Sequence, residues 1–560
     1  MTGTTSNARA ISRRGAIALG AGGAVMSLAG TPLAAQTART RPVGGTCTTP
    51  RSAVARTAYG PVRGYLESGV LTFKGVPYGD TTAGENRWLP AKPPQRWTEE
   101  YPALAYGANC PQTNHDFRRI EHTFLQQWTD GFMGEDMLKL NVWTPALSGN
   151  RPVMVYFHGG GFSFGSAYEL LAQDGANMAR NHDVVQVSVN HRLNVLGFLD
   201  LVELGGSAYE ESVNCSMTDA VAALRWVQEN IAAFGGNPDK VMIYGQSGGG
   251  SKVTTLLGMP SAKGLIHRAA IQSGGGGDIP TLEQSREFSR RVIRELGVGK
   301  GDIAALQKAD WGTLFAAGNK AAADINGPGR GNPLVMGPGA FPNARVGWTP
   351  TLDGRVIDVR SFQDVAPEVS RDVPVLIGNV SEEGTIYERN PSEAEWRAQL
   401  AEVLGGEKAD RLIAAMKKAH PEKSVRTLSY GVQGLSARNA VQRMVKLKHG
   451  LNGAPAYQYL FQWQTPQLDR VPGAWHTAEL AFCFDNSDLC AQATGGGAEP
   501  RALARTMATA WANFARTGNP GQPGLAWASS DPARCQTMVF DTQCRMVDDP
   551  EGEARRILLS

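Results

Sequence analysis

The chain lacks several patterns by which whole classes of protein are recognised. After residue 35 it has no run of about 20 apolar residues, so no later segment is expected to cross a membrane as a helix. The net charge is only +3, and Lys and Arg form no dense stripe, which argues against nucleic-acid binding. There is no C-x-x-C pair and no H-E-x-x-H motif, so no metal site is predicted.

Cysteine is scarce and its number is odd. The seven cysteines are Cys47, Cys110, Cys215, Cys483, Cys490, Cys535 and Cys544. If all seven persist in the mature chain, at least one thiol is free or bonded to another molecule. Cys483/Cys490 and Cys535/Cys544 are candidate local disulfides, although spacing alone does not give the connectivity.

The first 38 residues are predicted to be an export signal. Arg13-Arg14 precedes a weakly apolar stretch, Ala16–Ala35, that is too rich in glycine for a membrane anchor and resembles a twin-arginine signal. Cleavage is expected near Ala35 or Ala38, and residues 39–52 are predicted to form a linker. A periplasmic or extracellular location follows, without stable insertion into a membrane.

From residue 53 onward, short apolar runs alternate with helical patterns. The runs, rich in Val, Ile, Tyr and Phe, are Val153–Phe157, Val184–Val189, Val241–Tyr244, Ala269–Gln272 and Val373–Ile377. Thr218–Phe234 has apolar residues at helical spacing and ends at two glycines. The alternation predicts an α/β domain over residues 53–560, with helices on both faces of a twisted, mostly parallel sheet.

A serine within a glycine-flanked turn is the candidate nucleophile. Gly245–Gly249 (GQSGG) matches G-x-S-x-G, follows an apolar run and precedes a helical pattern, as a nucleophile of the α/β-hydrolase fold requires. A second match, around Ser163, opens no convincing helix. We therefore predict that Ser247 is the nucleophile and that Ser163 is an ordinary loop serine.

The second match overlaps a motif with a complementary function. His158–Gly161 (HGGG) resembles the oxyanion loop of such hydrolases, in which backbone N–H groups bind the charged oxygen of a tetrahedral intermediate. The predicted donors are the N–H groups of Gly160, Gly161 and Gly248. Glycine suits this position because the backbone itself must approach the substrate.

The order serine, acid, histidine in this fold class restricts the general base. Of nine histidines, five precede the serine and His267 follows it too closely to leave room for an acid, so His420, His449 and His476 remain. His476 is favoured because it lies in a loop just before an apolar segment, whereas the other two lie in charged or basic stretches.

The acid is expected just past the strand at 373–377. Glu382 and Glu383 both occupy that place, and spacing does not choose between them. Whichever is used would orient the imidazole and stabilise the imidazolium rather than take the proton.

Ordered motifs over residues 57–545 resemble the type-B carboxylesterase and cholinesterase family. They include Phe73–Tyr78 (FKGVPY), Glu135–Pro145 (EDMLKLNVWTP), Asn230–Pro238, Gln272–Gly274 and Trp511–Pro520. The resemblance implies an α/β-hydrolase fold, a serine esterase that needs no cofactor, and the triad Ser247, Glu383 and His476. It also implies the oxyanion donors already named.

The resemblance implies two buried ion pairs and shows three departures. The pairs are Arg87–Glu135 and Arg192–Asp219. Met137 stands where the family usually has cysteine, which leaves Cys110 without its usual partner. Gln246 stands where glutamate is usual, and Gly248 stands where alanine is usual. No secure match to the choline-binding tryptophan exists, so choline esters are not inferred.

The implied function is hydrolysis of a small-molecule carboxylic ester through an acyl-enzyme on Ser247. An acyltransferase, an amidase or lactonase variant, and a non-catalytic binding protein on the same fold are the alternatives; the filled triad positions argue against the last. Segments 115–130, 325–345 and 425–435 are expected to be loops that shape the pocket, and Phe162, Phe164 and Phe341 are candidate lining residues. The acyl preference and the oligomeric state do not follow from the sequence.

Overall fold

The computed structural model describes residues 45–112, 120–129, 131–275, 279–326, 346–384 and 390–560. Its strands are β1 Cys47–Thr48, β2 Val54–Thr57, β3 Gly60–Arg63, β4 Tyr65–Glu67, β5 Val70–Pro77, β6 Tyr101–Pro102, β7 Lys139–Thr144, β8 Arg151–Phe157, β9 Val185–Val189, β10 Gly236–Gln246, β11 Arg268–Gln272, β12 Val375–Val380, β13 Ala456–Phe461, β14 Gln536–Phe540 and β15 Arg545–Asp548. Its α-helices are α1 Ile120–Gln126, α2 Ala176–His182, α3 Asn194–Gly197, α4 Val202–Gly205, α5 Cys215–Asn230, α6 Gly248–Leu256, α7 Leu282–Glu295, α8 Ile303–Lys308, α9 Trp311–Asn326, α10 Glu393–Leu404, α11 Gly406–Ala419, α12 Val425–Gly450, α13 Leu480–Cys483, α14 Ala491–Thr494, α15 Ala498–Thr517 and α16 Gly552–Leu559.

Twelve of these strands form one sheet in the order β1-β4-β5-β7-β9-β8-β10-β11-β12-β13-β14-β15. The run from β9 to β14 is parallel throughout, and the strands on either side of it pair antiparallel. Strands β2, β3 and β6 form a separate small sheet. The predicted mostly parallel sheet is confirmed.

Strand β8 shows why the sequence builds a sheet that is covered on both faces. Successive side chains of a strand point to opposite faces. Val153, Val155 and Phe157 join one hydrophobic core, whereas Met154 and Tyr156 join a second core on the other side. Helices α5 and α6 pack on the first face and α15 on the second, so both faces require apolar residues.

The predicted helix Thr218–Phe234 corresponds to α5 and the 3₁₀ turn that follows it. The turn covers Ile231–Phe234, and Gly235 with φ of 75° ends it in the left-handed conformation. Gly235 thus supplies the stop expected from the sequence.

The prediction of a loop at residues 425–435 is wrong, because these residues belong to α12. Ser424 begins the helix by accepting a hydrogen bond from the Thr427 N–H at 3.1 Å. Gly434 reads as a helix breaker, but here it permits close packing: a Cβ at this position would lie 1.8 Å from the Ser381 carbonyl oxygen. The glycine therefore brings α12 against the segment after β12.

The sheet begins before residue 53. Strand β1, within the predicted linker, pairs antiparallel with β4. The predicted signal at 1–38 lies outside the described residues, as do Phe341 and most of the segment 325–345. Among the described residues, no helix combines the length and the apolar character needed to span a bilayer.

The cysteines and the buried ion pairs complete the comparison with the sequence. All seven cysteines carry free thiols, so the candidate disulfides Cys483/Cys490 and Cys535/Cys544 do not form in this structure. Both implied ion pairs are present. Arg192 Nε lies 2.8 Å from Asp219 Oδ2 in a fully buried pair, and Arg87 Nε lies 2.7 Å from Glu135 Oε2.

Candidate active site

Four neighbouring parallel strands bring the candidate residues to one edge of the sheet. Ser247 follows β10, Glu383 lies just past β12, and His476 lies in the connection that follows β13. Between β10 and β12 lies β11, whose last residue, Gln272, accepts a hydrogen bond from the Ser247 N–H at 2.8 Å. Carboxyl ends of parallel strands are where open α/β sheets bind their ligands.

Ser247 occupies a sharp turn between β10 and α6. Its backbone has φ of 58° and ψ of −124°, a strained conformation for a residue with a side chain. The flanking glycines are needed for close packing. A Cβ on Gly245 would lie 2.5 Å from the carbonyl carbon of Gly249, and one on Gly249 would lie 2.1 Å from the Phe157 carbonyl oxygen. The strand–turn–helix context expected of a nucleophile is present.

Ser163 has a different setting. It lies in a turn over residues 161–164 that no helix continues, and its N–H donates to the Gly160 carbonyl at 3.2 Å. Its own carbonyl accepts a hydrogen bond from Asn194 at 3.1 Å. The structure places Ser163 as a loop residue.

The imidazole of His476 is paired with a buried carboxylate. Glu383 Oε2 lies 2.5 Å from Nδ1, and Glu383 Oε1 accepts a hydrogen bond from the Val380 N–H at 3.2 Å. Burial alone would lower the pKa of His476, but the charge and hydrogen bond of Glu383 outweigh it, so the pKa is raised above 6.5. The pair therefore stabilises the imidazolium form.

The neighbouring Glu382 has another partner. Its Oε1 lies 2.7 Å from Lys423 Nζ, with both side chains only 2 % exposed, and its Oε2 accepts a hydrogen bond from the Ala474 N–H at 2.8 Å. The Glu382 N–H also donates to the Ala474 carbonyl at 3.1 Å. Glu382 thus joins the segment that follows β12 to the loop that contains His476. Of the two glutamates, only Glu383 contacts the imidazole.

Gln246 approaches the second nitrogen of the same imidazole. Its Nε2 lies 3.2 Å from His476 Nε2, while no hydrogen bond joins the Ser247 hydroxyl to His476, both of which lie in the described part of the chain. Catalytic hydrogen bonds are often long without substrate and tighten when it binds. The same amide nitrogen lies 3.4 Å from His476 Nδ1, so the glutamine contacts the ring beside both nitrogens and adds no charge there.

The predicted oxyanion loop lies directly against the serine turn. Gly160 and Gly161 have φ of 80° and 62°. Among the described residues, their N–H groups donate to no protein acceptor, and Gly248, as first residue of α6, has no helical acceptor for its own. A Cβ on Gly248 would lie 2.1 Å from the Gly161 carbonyl oxygen. The contact shows how closely the glycine at 248 lets the loop approach.

Of the three candidate lining residues, Phe162 and Phe164 lie in the described part of the chain. Phe162 packs edge-on against Phe198 with ring centroids 5.5 Å apart and contacts the first core. Phe164 is half-buried, and its ring edge would meet a Cβ on Gly160 at 2.7 Å. Phe164 is thus placed beside the oxyanion loop, whereas Phe162 is at least partly a packing residue.

Sequence reasoning missed two buried ionisable groups near the site. Burial, and then the charge of Glu383, raise the pKa of Glu479 to about 8. Burial lowers the pKa of Lys252 to about 7. Glu479 follows His476 by three residues, but nothing in the sequence distinguishes Glu479 or Lys252 from an exposed helical residue. No group of three or more His, Cys, Asp or Glu side chains in the described ranges could hold a metal ion.

Comparison with known proteins gives a consistent result. The model of the Carboxylesterase family matches residues 51–555. A para-nitrobenzyl esterase of Bacillus subtilis is 32 % identical over 511 residues, covering 90 % of this chain and 98 % of that protein. A phenmedipham hydrolase of Pseudarthrobacter oxydans is 32 % identical, covering 86 % and 94 %.

Solved structures agree with the sequence relatives. An esterase of Clostridium hathewayi that hydrolyses aliphatic aromatic polyesters superposes with a TM-score of 0.78 at 32 % identity, covering 92 % of this chain and 99 % of that one. A carboxylesterase of Geobacillus stearothermophilus superposes with a TM-score of 0.73 at 32 % identity, covering 90 % and 100 %.

Proposed function

The chain belongs to the carboxylesterase family and hydrolyses carboxylic esters, and from that premise we propose that it does so through an acyl-enzyme on Ser247. The observation that carries the proposal is the Glu383–His476 pair, at 2.5 Å, beside the serine turn. Gln246, the residue before the serine, contacts the free face of that imidazole at 3.2 Å. This contact supports the assignment of His476 as the base that serves Ser247.

Acylation begins when an ester enters and the Ser247 hydroxyl donates a hydrogen bond to His476 Nε2. His476 takes the proton from Ser247 Oγ while Oγ attacks the ester carbonyl carbon. The carbonyl oxygen becomes negatively charged, and the unpaired loop N–H groups stabilise it. Collapse of the tetrahedral intermediate breaks the bond to the alcohol, which leaves with the proton from His476.

Deacylation repeats the sequence with water. His476 removes a proton from water, the hydroxide attacks the acyl carbon, and the same donors stabilise the second intermediate. The carboxylic acid then leaves, and the proton returns to Ser247. Glu383 remains ionised throughout and stabilises the imidazolium in both halves.

We propose that the substrates are small esters with apolar groups. The relatives are named for p-nitrobenzyl esters and phenmedipham. Phe164, beside the oxyanion loop, supplies an apolar surface there. Hydrolysis of p-nitrophenyl esters with acyl chains of increasing length tests this; a preference for charged acyl groups would contradict it.

Covalent labelling tests the acyl-enzyme directly. A fluorophosphonate reagent is expected to inactivate the protein with one adduct per chain, and peptide mass spectrometry should locate it on Ser247, because only an activated serine attacks such a reagent rapidly. The Ser163→Ala variant should be labelled like the wild type. An adduct on Ser163, or inactivation without an adduct on Ser247, contradicts the proposal.

We further propose that residues 1–38 direct export to the periplasm or beyond. Support comes from Arg13-Arg14 before the weakly apolar stretch Ala16–Ala35, and from the family match, which begins only at residue 51.

The double substitution Arg13→Lys, Arg14→Lys tests export in a bacterial host with a twin-arginine pathway. Esterase activity in the exported fraction is expected to fall strongly. The missing activity should be found in the cytoplasmic fraction. Arg9→Lys, outside the pair, is the matched control and should leave export unchanged. Equal export of the double variant contradicts the proposal.

A further inference from the structure

Lys252 is a fully buried lysine in the helix that begins immediately after Ser247. Its Nζ donates to the His158 carbonyl oxygen at 2.8 Å and lies 3.5 Å from that of Gly159. Both carbonyls belong to the oxyanion loop. Among the described residues it forms no ion pair; its remaining close contact is the Phe162 ring, with the centroid 5.5 Å from Nζ.

A buried ammonium without a bonded carboxylate is costly, because the protein must replace its hydration. Burial lowers the pKa of Lys252 to about 7, and Glu169 opposes that shift. After burial itself, the Lys252 charge is the main cause of the lowered pKa values of His158 and His191. An apolar side chain would avoid this cost, so packing alone does not account for the lysine.

The geometry of the peptide group connects Lys252 to the oxyanion hole. The carbonyl of Gly159 and the N–H of Gly160 belong to one planar trans peptide and point in opposite directions. Drawing the Gly159 oxygen toward Lys252 therefore directs the Gly160 N–H away from it. Gly160, at φ of 80°, has no side chain to restrict its rotation, so the restraint must come from elsewhere.

When Lys252 is protonated, its positive charge at the carbonyl end also strengthens the donor. It polarises the peptide, so that the N–H at the other end carries more positive charge. The same holds for the peptide that joins His158 to Gly159, whose carbonyl makes the shorter contact. The Gly159 contact thus bears on the direction and strength of the Gly160 N–H, and the shorter His158 contact fixes the start of the loop.

We propose that Lys252 is a positioning residue that holds the loop His158–Gly161 with the Gly160 N–H aimed at the substrate oxygen. The proposal rests on the proposed function, since it takes Gly160 as an oxyanion donor. Lys252 itself touches neither substrate nor nucleophile in this account. It acts through the backbone.

The variant Lys252→Met tests the proposal, because methionine nearly fills the space but donates no hydrogen bond. With a p-nitrophenyl ester, kcat is expected to fall about 10- to 100-fold, somewhat less than the loss of a whole oxyanion donor, while KM changes little. Affinity for a trifluoromethyl ketone, which forms a charged tetrahedral adduct, should weaken by a similar factor. If Lys252 only stabilised the fold, the variant would lower the melting temperature without a specific loss of kcat or of affinity for the ketone.

Lys448→Met is the matched control. Lys448 is also buried, and its Nζ donates to the carbonyls of Ser370 at 2.6 Å and Arg371 at 2.7 Å. These residues precede β12, whereas Glu383 follows it, so this lysine lies at the opposite end of the sheet. The melting temperature should fall in both variants, but kcat should remain that of the wild type in Lys448→Met.

Lys252→Gln keeps an N–H donor without the charge and is measured in the same way. If the methionine variant does not fold, the glutamine variant tests the proposal in its place. Its kcat is expected between those of the wild type and the methionine variant. An unchanged kcat and unchanged ketone affinity in either folded variant overturn the proposal. Activity that survives in Ser247→Ala would instead overturn the proposed function, so the two failures are distinct.

Discussion

Ser247→Ala is expected to lower kcat for a p-nitrophenyl ester by about a million-fold, the loss seen when a serine hydrolase is deprived of its nucleophile. The oxyanion loop and His476 remain, so only slow general catalysis of attack by water should persist. Ser247 is half-buried and its hydroxyl makes no hydrogen bond to His476, so the melting temperature should change little.

Ser163→Ala, in the other G-x-S-x-G match, is the control and should retain the wild-type kcat. Intact-protein mass spectrometry excludes contamination by wild-type enzyme. Hydrolysis by pure Ser247→Ala within about a hundred-fold of wild type would show that another residue is the nucleophile.

Glu383→Gln is expected to lower kcat by about 10⁴-fold, because an amide neither stabilises the imidazolium nor fixes the required tautomer. A pH profile of kcat/KM gives a second signature. Glu383 raises the pKa of His476 above 6.5, so in the wild type activity should fall as the pH drops through that raised value and the base becomes protonated. Without the carboxylate the pKa falls, and the acid limb should move to lower pH.

Glu382→Gln is the matched control for the acid. It removes the carboxylate that contacts buried Lys423 and leaves only the charges of Glu551 and Glu422 near it, which should reduce the free energy of unfolding by about 3 kcal/mol. Its acid limb should nevertheless stay where the wild type has it, because Glu382 does not contact the imidazole. If the limb moved in this variant and not in Glu383→Gln, the acid would be assigned to the wrong residue.

The strands and the serine turn could be predicted because local sequence determines them. Buried parallel strands need apolar residues on both faces, and the turn at Ser247 needs glycines where neighbouring backbone approaches to within 2.5 Å of a Cβ position. The acid was different. Spacing leaves Glu382 and Glu383 open and only the family resemblance favours Glu383, because the difference between them arises from the pairing of this segment with residues 474–475, more than 90 residues away.

Two failures share a physical cause, which is close packing that the sequence does not display. The segment 425–435 is expected from the sequence to be a loop, yet it is helical, and Gly434 is needed in α12 because the Ser381 carbonyl leaves no room for a side chain. Lys252 reads as a solvated helical lysine, yet it is fully buried and donates to the backbone of the oxyanion loop. In both, a neighbouring backbone segment from a distant part of the chain decides the outcome.

The arrangement of β10 to β13 has a consequence for how activity is acquired. Ser247 and His476, the proposed nucleophile and base, stand 229 positions apart, and each follows a different strand of the parallel run. Contacts this distant along the chain form slowly, since a long loop must close before they stabilise anything. Regained ester hydrolysis during renaturation would therefore mark the final docking of the C-terminal third, long after most secondary structure has formed.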